Sequence, residues 1–116
     1  MKNMFDLSRK AAVVVGGMGD LGKSMVTGLV EAGAKVAIID LPQKLLEIND
    51  MPAGIAKHLY PVEGNIADRE KVESSFAEAL DKIGGRVDIL LNAAGIQRRY
   101  PCEEFPMSDW DLVLEI

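Results

Sequence analysis

Short apolar runs alternate along the chain with longer segments in which hydrophobic residues recur every three or four positions. The runs Ala11–Val15 and 35–39 are continuous and rich in β-branched residues, which is typical of strands buried on both faces of a sheet. Between them, apolar residues recur at helical spacing over residues 21–30, and Gly33 is placed to end that helix as a C′ glycine. These positions predict a strand, a helix and a second strand in succession.

The pattern is less regular over residues 41–56, where apolar residues around Leu45 predict a short helix that Pro52 and Gly54 interrupt. A third strand is predicted over residues 58–62. Asp68 then resembles an N-cap. The helix that follows is predicted to end at Gly84 and Gly85, and its apolar face comprises Val72, Phe76, Ala79, Leu80 and Ile83.

The last third of the chain predicts one more strand and one more helix. The run at residues 87–91 has the composition of a strand, and Ser108 with Asp111 resembles a capping box that opens a helix carrying Trp110 and Leu114. The resulting order is β-α-β-α-β-α-β-α, and such alternation implies parallel strands joined by right-handed crossovers. We therefore predict one α/β domain over residues 1–116, a three-layer, Rossmann-type doubly wound sheet truncated after about four strands.

Composition narrows the function classes. The chain has 116 residues, of which 48% are hydrophobic and 27% charged, as in ordinary globular domains. Its net charge of −5 argues against nucleic acid or an anionic membrane as a partner. No signal-peptide pattern or apolar run of about 20 residues is evident, and the single cysteine, Cys102, excludes an internal disulfide. We expect a cytoplasmic protein in which Cys102 is an ordinary loop thiol.

A glycine-rich loop, GGMGDLGKS, lies between the first predicted strand and the first predicted helix. Gly17, Gly19 and Gly22 fit the G-x-G-x-x-G pattern, in which a pyrophosphate approaches backbone N–H groups at a helix N-terminus. Asp40 closes the second strand, where a carboxylate can accept hydrogen bonds from ribose hydroxyls and would repel a 2′-phosphate. The pattern predicts a dinucleotide site that prefers NAD.

The same loop also fits the Walker A pattern of P-loop NTPases. Gly17, Gly22, Lys23 and Ser24 match G-x-x-x-x-G-K-[ST], with Lys23 then assigned to the β- and γ-phosphates and Ser24 to Mg²⁺. The loop by itself leaves both interpretations open.

Three segments together resemble the short-chain dehydrogenases/reductases. They are FDLSRKAAVVVGGMGDLGKSMVTGLVEAGAKVAIID, EGNIADREKV and VDILLNAAGIQRR. The resemblance covers essentially the whole chain and favours the dinucleotide interpretation over the NTPase. It implies a cofactor site at the glycine loop, at Asp40, at the Asn65–Ile66 pair over the adenine, and at the Asn92–Gly95 motif. The glycine pattern and the resemblance together assign cofactor binding to Gly16, Gly17, Gly19, Asp20, Leu21, Gly22, Asp40, Asn65, Ile66, Asn92, Ala93 and Gly95.

The chain departs from the family motifs at three places. Asp20 replaces a glycine and brings a carboxylate near the expected path of the pyrophosphate. Asn65 and Ile66 replace an Asp-Val pair, which is a mild change because an amide can still meet the adenine edge. Ala93 replaces the second Asn of Asn-Asn-Ala-Gly and so removes a side chain near the cofactor ribose. These changes are expected to lower the affinity for the cofactor.

The resemblance also implies what the chain does not carry. The family's catalytic Asn, Ser and Tyr-x-x-x-Lys align beyond Ile116, and neither Tyr60 nor Tyr100 is followed by Lys four positions on. No catalytic or metal-binding residue is therefore assigned, and we expect NAD binding without turnover. A non-catalytic nucleotide-binding fragment or interaction module is the alternative.

Within the family, the chain looks most like dehydrogenases of sugar acids such as gluconate. Arg98 and Arg99 could face a substrate carboxylate or could be solvated loop residues. Self-association is expected, because the fourth strand and the last helix would expose apolar side chains.

Overall fold

The computed structural model describes residues 4–94 and 101–115, with side chains placed as far as Leu114. The strands are β1 (Ala11–Val15), β2 (Lys35–Asp40), β3 (Leu59–Glu63) and β4 (Ile89–Asn92). The α-helices are α1 (Asp20–Glu31), α2 (Pro42–Leu45), α3 (Ala53–Ala56), α4 (Arg69–Lys82) and α5 (Met107–Glu115). Two 3₁₀ helices cover Leu46–Asp50 and Cys102–Glu104.

The four strands form one parallel sheet in the order β3-β2-β1-β4. In the register of this sheet, Val13 at the centre of β1 pairs with Ala37 of β2 on one side and with Leu90 of β4 on the other. β2 and β3 therefore lie on one side of β1, and β4 lies on its other side. This order confirms the predicted doubly wound parallel sheet.

Both faces of the sheet are covered by helices. On one face, alternate strand residues such as Val14 and Ile38 pack against Val26 and Val30 of α1, with the segment from α2 to α3 beside them. On the other face, Val13, Val15, Ala37 and Ile39 pack against Ala79 and Ile83 of α4. The β1 and β2 runs are continuous in hydrophobicity because each of their apolar residues is buried on one face or the other.

Several predicted boundaries are corrected by the structure. The third strand begins at Leu59 because the His58 N–H donates to the Ile55 carbonyl in the turn after α3. The fourth begins at Ile89, two residues later than predicted. The prediction that Ser108 caps the last helix is wrong, because the carbonyl of Pro106 accepts from the N–H groups of Asp109 and Trp110 and α5 begins at Met107.

Other local predictions are confirmed at the ends of α1 and α4. Gly33 follows α1 with a φ of 101°, as expected for a C′ glycine. Asp68 caps α4, since its carboxylate accepts from the N–H of Glu70. Leu80, which was predicted on the buried face of α4, is instead 36% exposed. None of the helices within residues 4–94 and 101–115 is long and apolar enough to cross a membrane.

The two edges of the sheet differ in character. β3 has Pro61 at its centre, and the carbonyl oxygens of Pro61 and Glu63 accept from Lys82 Nζ at 2.7 Å and from Ser75 Oγ at 3.2 Å. A proline and occupied carbonyl groups discourage the addition of another strand. At the opposite edge, the Leu90 side chain of β4 is 57% exposed.

Candidate functional site

A cleft of about 240 Å³ opens at the carboxyl ends of the strands. It lies where the chain reverses direction across the sheet, between β1 and its neighbours β2 and β4, which is where open parallel sheets bind ligands. Its lining is mostly apolar and combines strand ends with the loops that follow them. The lining residues are Val15, Gly16, Gly19, Ile39, Asp40, Leu41, Lys44, Gly64, Asn65, Ile66, Ala93 and Ala94.

Gly16 forms the floor of the cleft directly after β1. Its φ is 77°, and a Cβ there would lie 2.7 Å from both the N and the Cα of Ala94. The Gly16 N–H donates to the carbonyl of Ile39 at 2.8 Å, which fixes the turn against the end of β2. Only glycine fits this conformation and this close approach of two backbones.

Gly17 and Gly22 act beneath the loop rather than in the cleft. A Cβ on Gly22 would fall on the carbonyl oxygen of Gly16, and a Cβ on Gly17 would lie 2.7 Å from Cγ2 of Ile38. Neither residue lines the cleft. Their small size allows α1 to approach β1 and β2 closely, so that the N-terminus of α1 lies at the cleft.

The start of α1 is suited to bind an anion. Gly19 is its N-cap, lines the cleft, and has no side-chain cap. The N–H groups of a first helical turn lack intrahelical partners, and the helix dipole favours negative charge beside them. A Cβ on Gly19 would make only an ordinary 3.6 Å contact with the Gly16 carbonyl oxygen, so glycine is not required there by packing.

Asp40, the last residue of β2, joins the strand end to the glycine loop. Its Oδ2 accepts from the N–H of Met18 at 3.0 Å, and its Oδ1 accepts from the N–H of Leu41 at 2.8 Å. A carboxylate offers about four lone-pair sites, so each oxygen can still accept another donor. The carboxylate is thus held in one orientation while it lines the cleft.

The far end of the cleft is built by the loop after β3. The Gly64 N–H donates to the Asp40 carbonyl at 3.0 Å, and the side-chain oxygen of Asn65 accepts from the Ala67 N–H at 3.0 Å. Leu41 follows the end of β2, Ile66 follows the end of the neighbouring strand β3, and both residues line the cleft. Together they give a flat apolar ring a place to bind with polar groups at its edge.

Lys23, the lysine of the Walker A pattern, is directed elsewhere. Its Nζ forms a 3.0 Å ion pair with Oε1 of Glu47, in the 3₁₀ helix after α2. The hydrogen bond to Glu47 raises the pKa of Lys23, and the same bond lowers the pKa of Glu47. Ser24 Oγ donates to the Asp20 carbonyl at 3.4 Å within α1. Neither side chain lines the cleft.

The structure places the predicted site residues in three groups. Gly16, Gly19, Asp40, Asn65, Ile66 and Ala93 line the cleft. Gly17, Asp20, Leu21, Gly22 and Asn92 do not, and of these Asp20, Leu21 and Asn92 are exposed. Gly95, Arg98 and Arg99 lie outside the described residues.

The residues assigned individually from the sequence leave out half of the lining, namely Val15, Ile39, Leu41, Lys44, Gly64 and Ala94, of which Ala94 lies within the predicted Asn92–Gly95 motif. Most of these residues sit at the carboxyl end of a strand or just after it, which is a usable signal. Lys44 sits within α2, and no pattern in the sequence marked it.

Comparison with known proteins agrees with this architecture. Residues 10–116 match the family model described as short chain dehydrogenase. Among curated relatives, the 5-keto-D-gluconate 5-reductase of Escherichia coli K12 is 30% identical, over all of this chain and 46% of the relative. The gluconate 5-dehydrogenase of Gluconobacter oxydans is 34% identical, over 94% of this chain and 43% of the relative. The chain therefore spans less than half the length of these relatives.

Solved structures give the same result. A crystal structure assigned as a gluconate dehydrogenase from Agrobacterium tumefaciens superposes with a TM-score of 0.83 and 32% identity, over 98% of this chain and 45% of the other. The 3-ketoacyl-(acyl-carrier-protein) reductase of Brucella melitensis, solved with NADH, superposes with a TM-score of 0.81 and 27% identity, over 94% of this chain and 44% of the other. The P-loop NTPase interpretation is wrong, since the family match and the Lys23–Glu47 pair both oppose it. The chain belongs to the short-chain dehydrogenase family.

Proposed function

We propose that residues 1–116 form an NAD-binding domain, the cofactor-binding part of an oxidoreductase that moves a hydride between NAD and a small hydroxy or keto compound. When bound, the nicotinamide ring supplies the hydride chemistry, and this chain's residues hold and orient the dinucleotide. The observation that carries the proposal is the position of Asp40, fixed by two backbone N–H groups at the rim of the cleft.

The preference for NAD over NADP follows from charge. Asp40 can accept hydrogen bonds from the adenosine ribose hydroxyls, whereas a 2′-phosphate at the same place would meet the fixed carboxylate. The adenine ring would lie among Leu41, Gly64 and Ile66, with the amide of Asn65 at its edge.

The pyrophosphate would bind at the start of α1, next to Gly16 and Gly19. Asp20 opposes this binding less than the sequence suggested, because it is exposed as the first residue of α1 and does not line the cleft. A solvated carboxylate acts on a neighbouring anion through water and salt, which weaken the repulsion.

For the substrate we propose a sugar acid of the gluconate type, whose carboxylate would be bound by Arg98 and Arg99. Support comes from relatives named for 5-keto-D-gluconate and gluconate. We further propose that the 116 residues bind cofactor without turnover, because Gly64 and Glu104 occupy the positions four residues after Tyr60 and Tyr100. A general acid/base tyrosine with a lysine partner is therefore not formed by either residue.

Calorimetric titration of the 116-residue chain with NAD, NADP and Mg-ATP tests the proposal. We expect NAD to bind most tightly and Asp40→Ala to weaken it about tenfold or more, since hydrogen bonds to a charged group contribute about 1.5–3 kcal/mol each. Asp81→Ala, on the exposed side of α4, is the matched control, and circular dichroism shows whether each variant is folded. Unchanged NAD affinity in folded Asp40→Ala would refute the site. Production of NADH from gluconate by the wild-type chain would refute the absence of turnover.

A further inference from the structure

Three charged side chains meet beside the cleft, and only one of them lines it. Lys44 of α2 shares the cleft lining with Asp40. Its Nζ lies 3.5 Å from Oε2 of Glu47, while the other carboxylate oxygen of Glu47 lies 3.0 Å from Nζ of Lys23 on α1. A single carboxylate thus holds two lysines from two different helices at the rim of the cleft.

This arrangement decides what a phosphate next to Asp40 would encounter. Among the described residues that line the cleft, Lys44 is the one with a cationic side chain, and a lysine is a suitable point charge for a phosphate group. In the present arrangement, however, its ammonium group is paired with Glu47, so part of the positive charge that it offers to the cleft is compensated. Within this group of four described side chains, the charges of Asp40 and Glu47 balance those of Lys23 and Lys44, so the group offers no net positive charge to an additional phosphate.

We infer that Glu47 is a positioning residue for cofactor choice: by holding Lys44, it keeps a latent 2′-phosphate contact out of use and so maintains the preference for NAD over NADP. The inference rests on the proposed function, because it concerns the ribose end of the same dinucleotide. Two carboxylates with different roles would then discriminate between NAD and NADP. Asp40 opposes a 2′-phosphate directly, and Glu47 withholds the lysine that would attract it.

The inference predicts opposite effects from the two partners of Glu47. Removing the Glu47 charge releases Lys44, so Glu47→Gln is expected to raise NADP affinity about fivefold, the effect of one partly exposed charge contact of about 1 kcal/mol. Without Lys23, Glu47 pairs with Lys44 only and holds its ammonium group more firmly, so Lys23→Met is expected to lower NADP affinity. NAD carries the pyrophosphate but lacks the 2′-phosphate, so the effect is expressed as the ratio of NADP affinity to NAD affinity, which is expected to rise in Glu47→Gln and to fall in Lys23→Met.

The experiment measures dissociation constants of NAD and NADP by calorimetry for the wild-type 116-residue chain, Glu47→Gln, Lys23→Met, and Glu47→Gln combined with Lys44→Met. Glu31→Gln, an exposed carboxylate at the other end of α1, is the matched control for loss of one negative charge. The expected result is a gain in NADP affinity for Glu47→Gln that is weakened by salt and disappears when Lys44 is also replaced. A purely structural role would change the affinities for NAD and NADP alike.

The outcomes separate the inference from the function on which it rests. If the wild-type chain binds NAD but Glu47→Gln leaves NADP affinity unchanged, or the gain persists without Lys44, the inference is overturned and the proposed function stands. If the wild-type chain does not bind NAD, the proposed function fails and the inference falls with it. Should Glu47→Gln not fold, Lys23→Met decides, measured in the wild-type chain and in Lys44→Met. A loss of NADP affinity relative to NAD that disappears when Lys44 is replaced supports the inference, and a loss that persists without Lys44, or no loss, overturns it.

Discussion

The close approach of α1 to the glycine loop can be tested with two identical substitutions in the same helix. A Cβ added at Gly22 would meet the carbonyl oxygen of Gly16, and it would lie 2.9 Å from Cα of Gly17. At Gly28, later in α1, no atom of the described residues outside the neighbouring backbone of α1 lies within 4 Å of an added Cβ. Gly22→Ala and Gly28→Ala therefore differ mainly in the space available.

The magnitude follows from two opposing contributions to the free energy of unfolding. Replacing a helical glycine by alanine stabilises a protein by about 0.5–1 kcal/mol through helix propensity and a less flexible unfolded chain. That gain applies to both variants and largely cancels in their comparison. Overpacking against backbone atoms that cannot rotate away destabilises by about 1–3 kcal/mol, and this cost applies to Gly22→Ala alone. Gly28→Ala should thus be slightly more stable than the wild type, and Gly22→Ala less stable.

Urea unfolding followed by circular dichroism measures the difference. With a slope of about 2 kcal/mol per molar urea, the two midpoints should differ by about 0.5–1.5 M. Because the displacement moves the N-terminus of α1, NAD affinity should also fall in Gly22→Ala and remain normal in Gly28→Ala. Equal midpoints for the two variants would refute the close approach of α1 to the loop.

Two further predictions concern the start of β1 and the edge of the sheet. The pKa of Asp88 is lowered by a hydrogen bond from the Ala11 N–H and by the ion pair with Arg86. The stability that Asp88 contributes is therefore present at neutral pH and is lost as the pH falls below about 4. When the urea midpoint is measured against pH, it should fall less steeply for Asp88→Asn than for the wild type, and identical slopes would contradict this. Leu90→Lys puts a charge on β4 at the open edge of the sheet and should reduce self-association measured by light scattering. Leu46→Lys, at a residue that is 69% exposed in the 3₁₀ helix Leu46–Asp50, should leave self-association unchanged. A wild-type chain that is monomeric would contradict this prediction.

The elements that could be predicted from the sequence are those whose stability comes from burial. β1 and β2 lie inside the sheet, and each of their apolar residues packs against α1 or α4, so hydrophobicity alone identified them. The predicted fourth strand began two residues too early because Val87 is apolar, as a strand residue would be. In the structure Val87 is 38% exposed and lies in the loop before β4. The segment from α2 to α3 was harder, since its short helices contain no fully buried residue and depend on local turns around Pro42 and Pro52.

The candidate site shows a similar division. The sequence predicted that Asp40 closes the second strand, and the structure places it at the cleft because the end of a parallel strand determines the position of the residue there. Its role toward the cofactor stays a prediction. The glycine pattern, in contrast, assigned Gly17 and Gly22 to the cofactor, whereas the structure gives them a packing role beneath the loop. Lys44 and Glu47 could not have been found, because their pairing with Lys23 joins segments that only the tertiary fold brings together.

Asp40 and Glu47 also differ in what a substitution would cost the fold. Asp40 accepts from two backbone N–H groups, including that of Met18 in the glycine loop, so its replacement is expected to loosen the loop as well as to remove the proposed cofactor contact. Glu47 contacts only exposed or half-exposed lysine side chains in the described contacts, and ion pairs at such positions contribute little to stability. Substitutions at Glu47 are therefore expected to change cofactor preference at a lower cost to the fold than substitutions at Asp40, the residue that we propose binds the ribose.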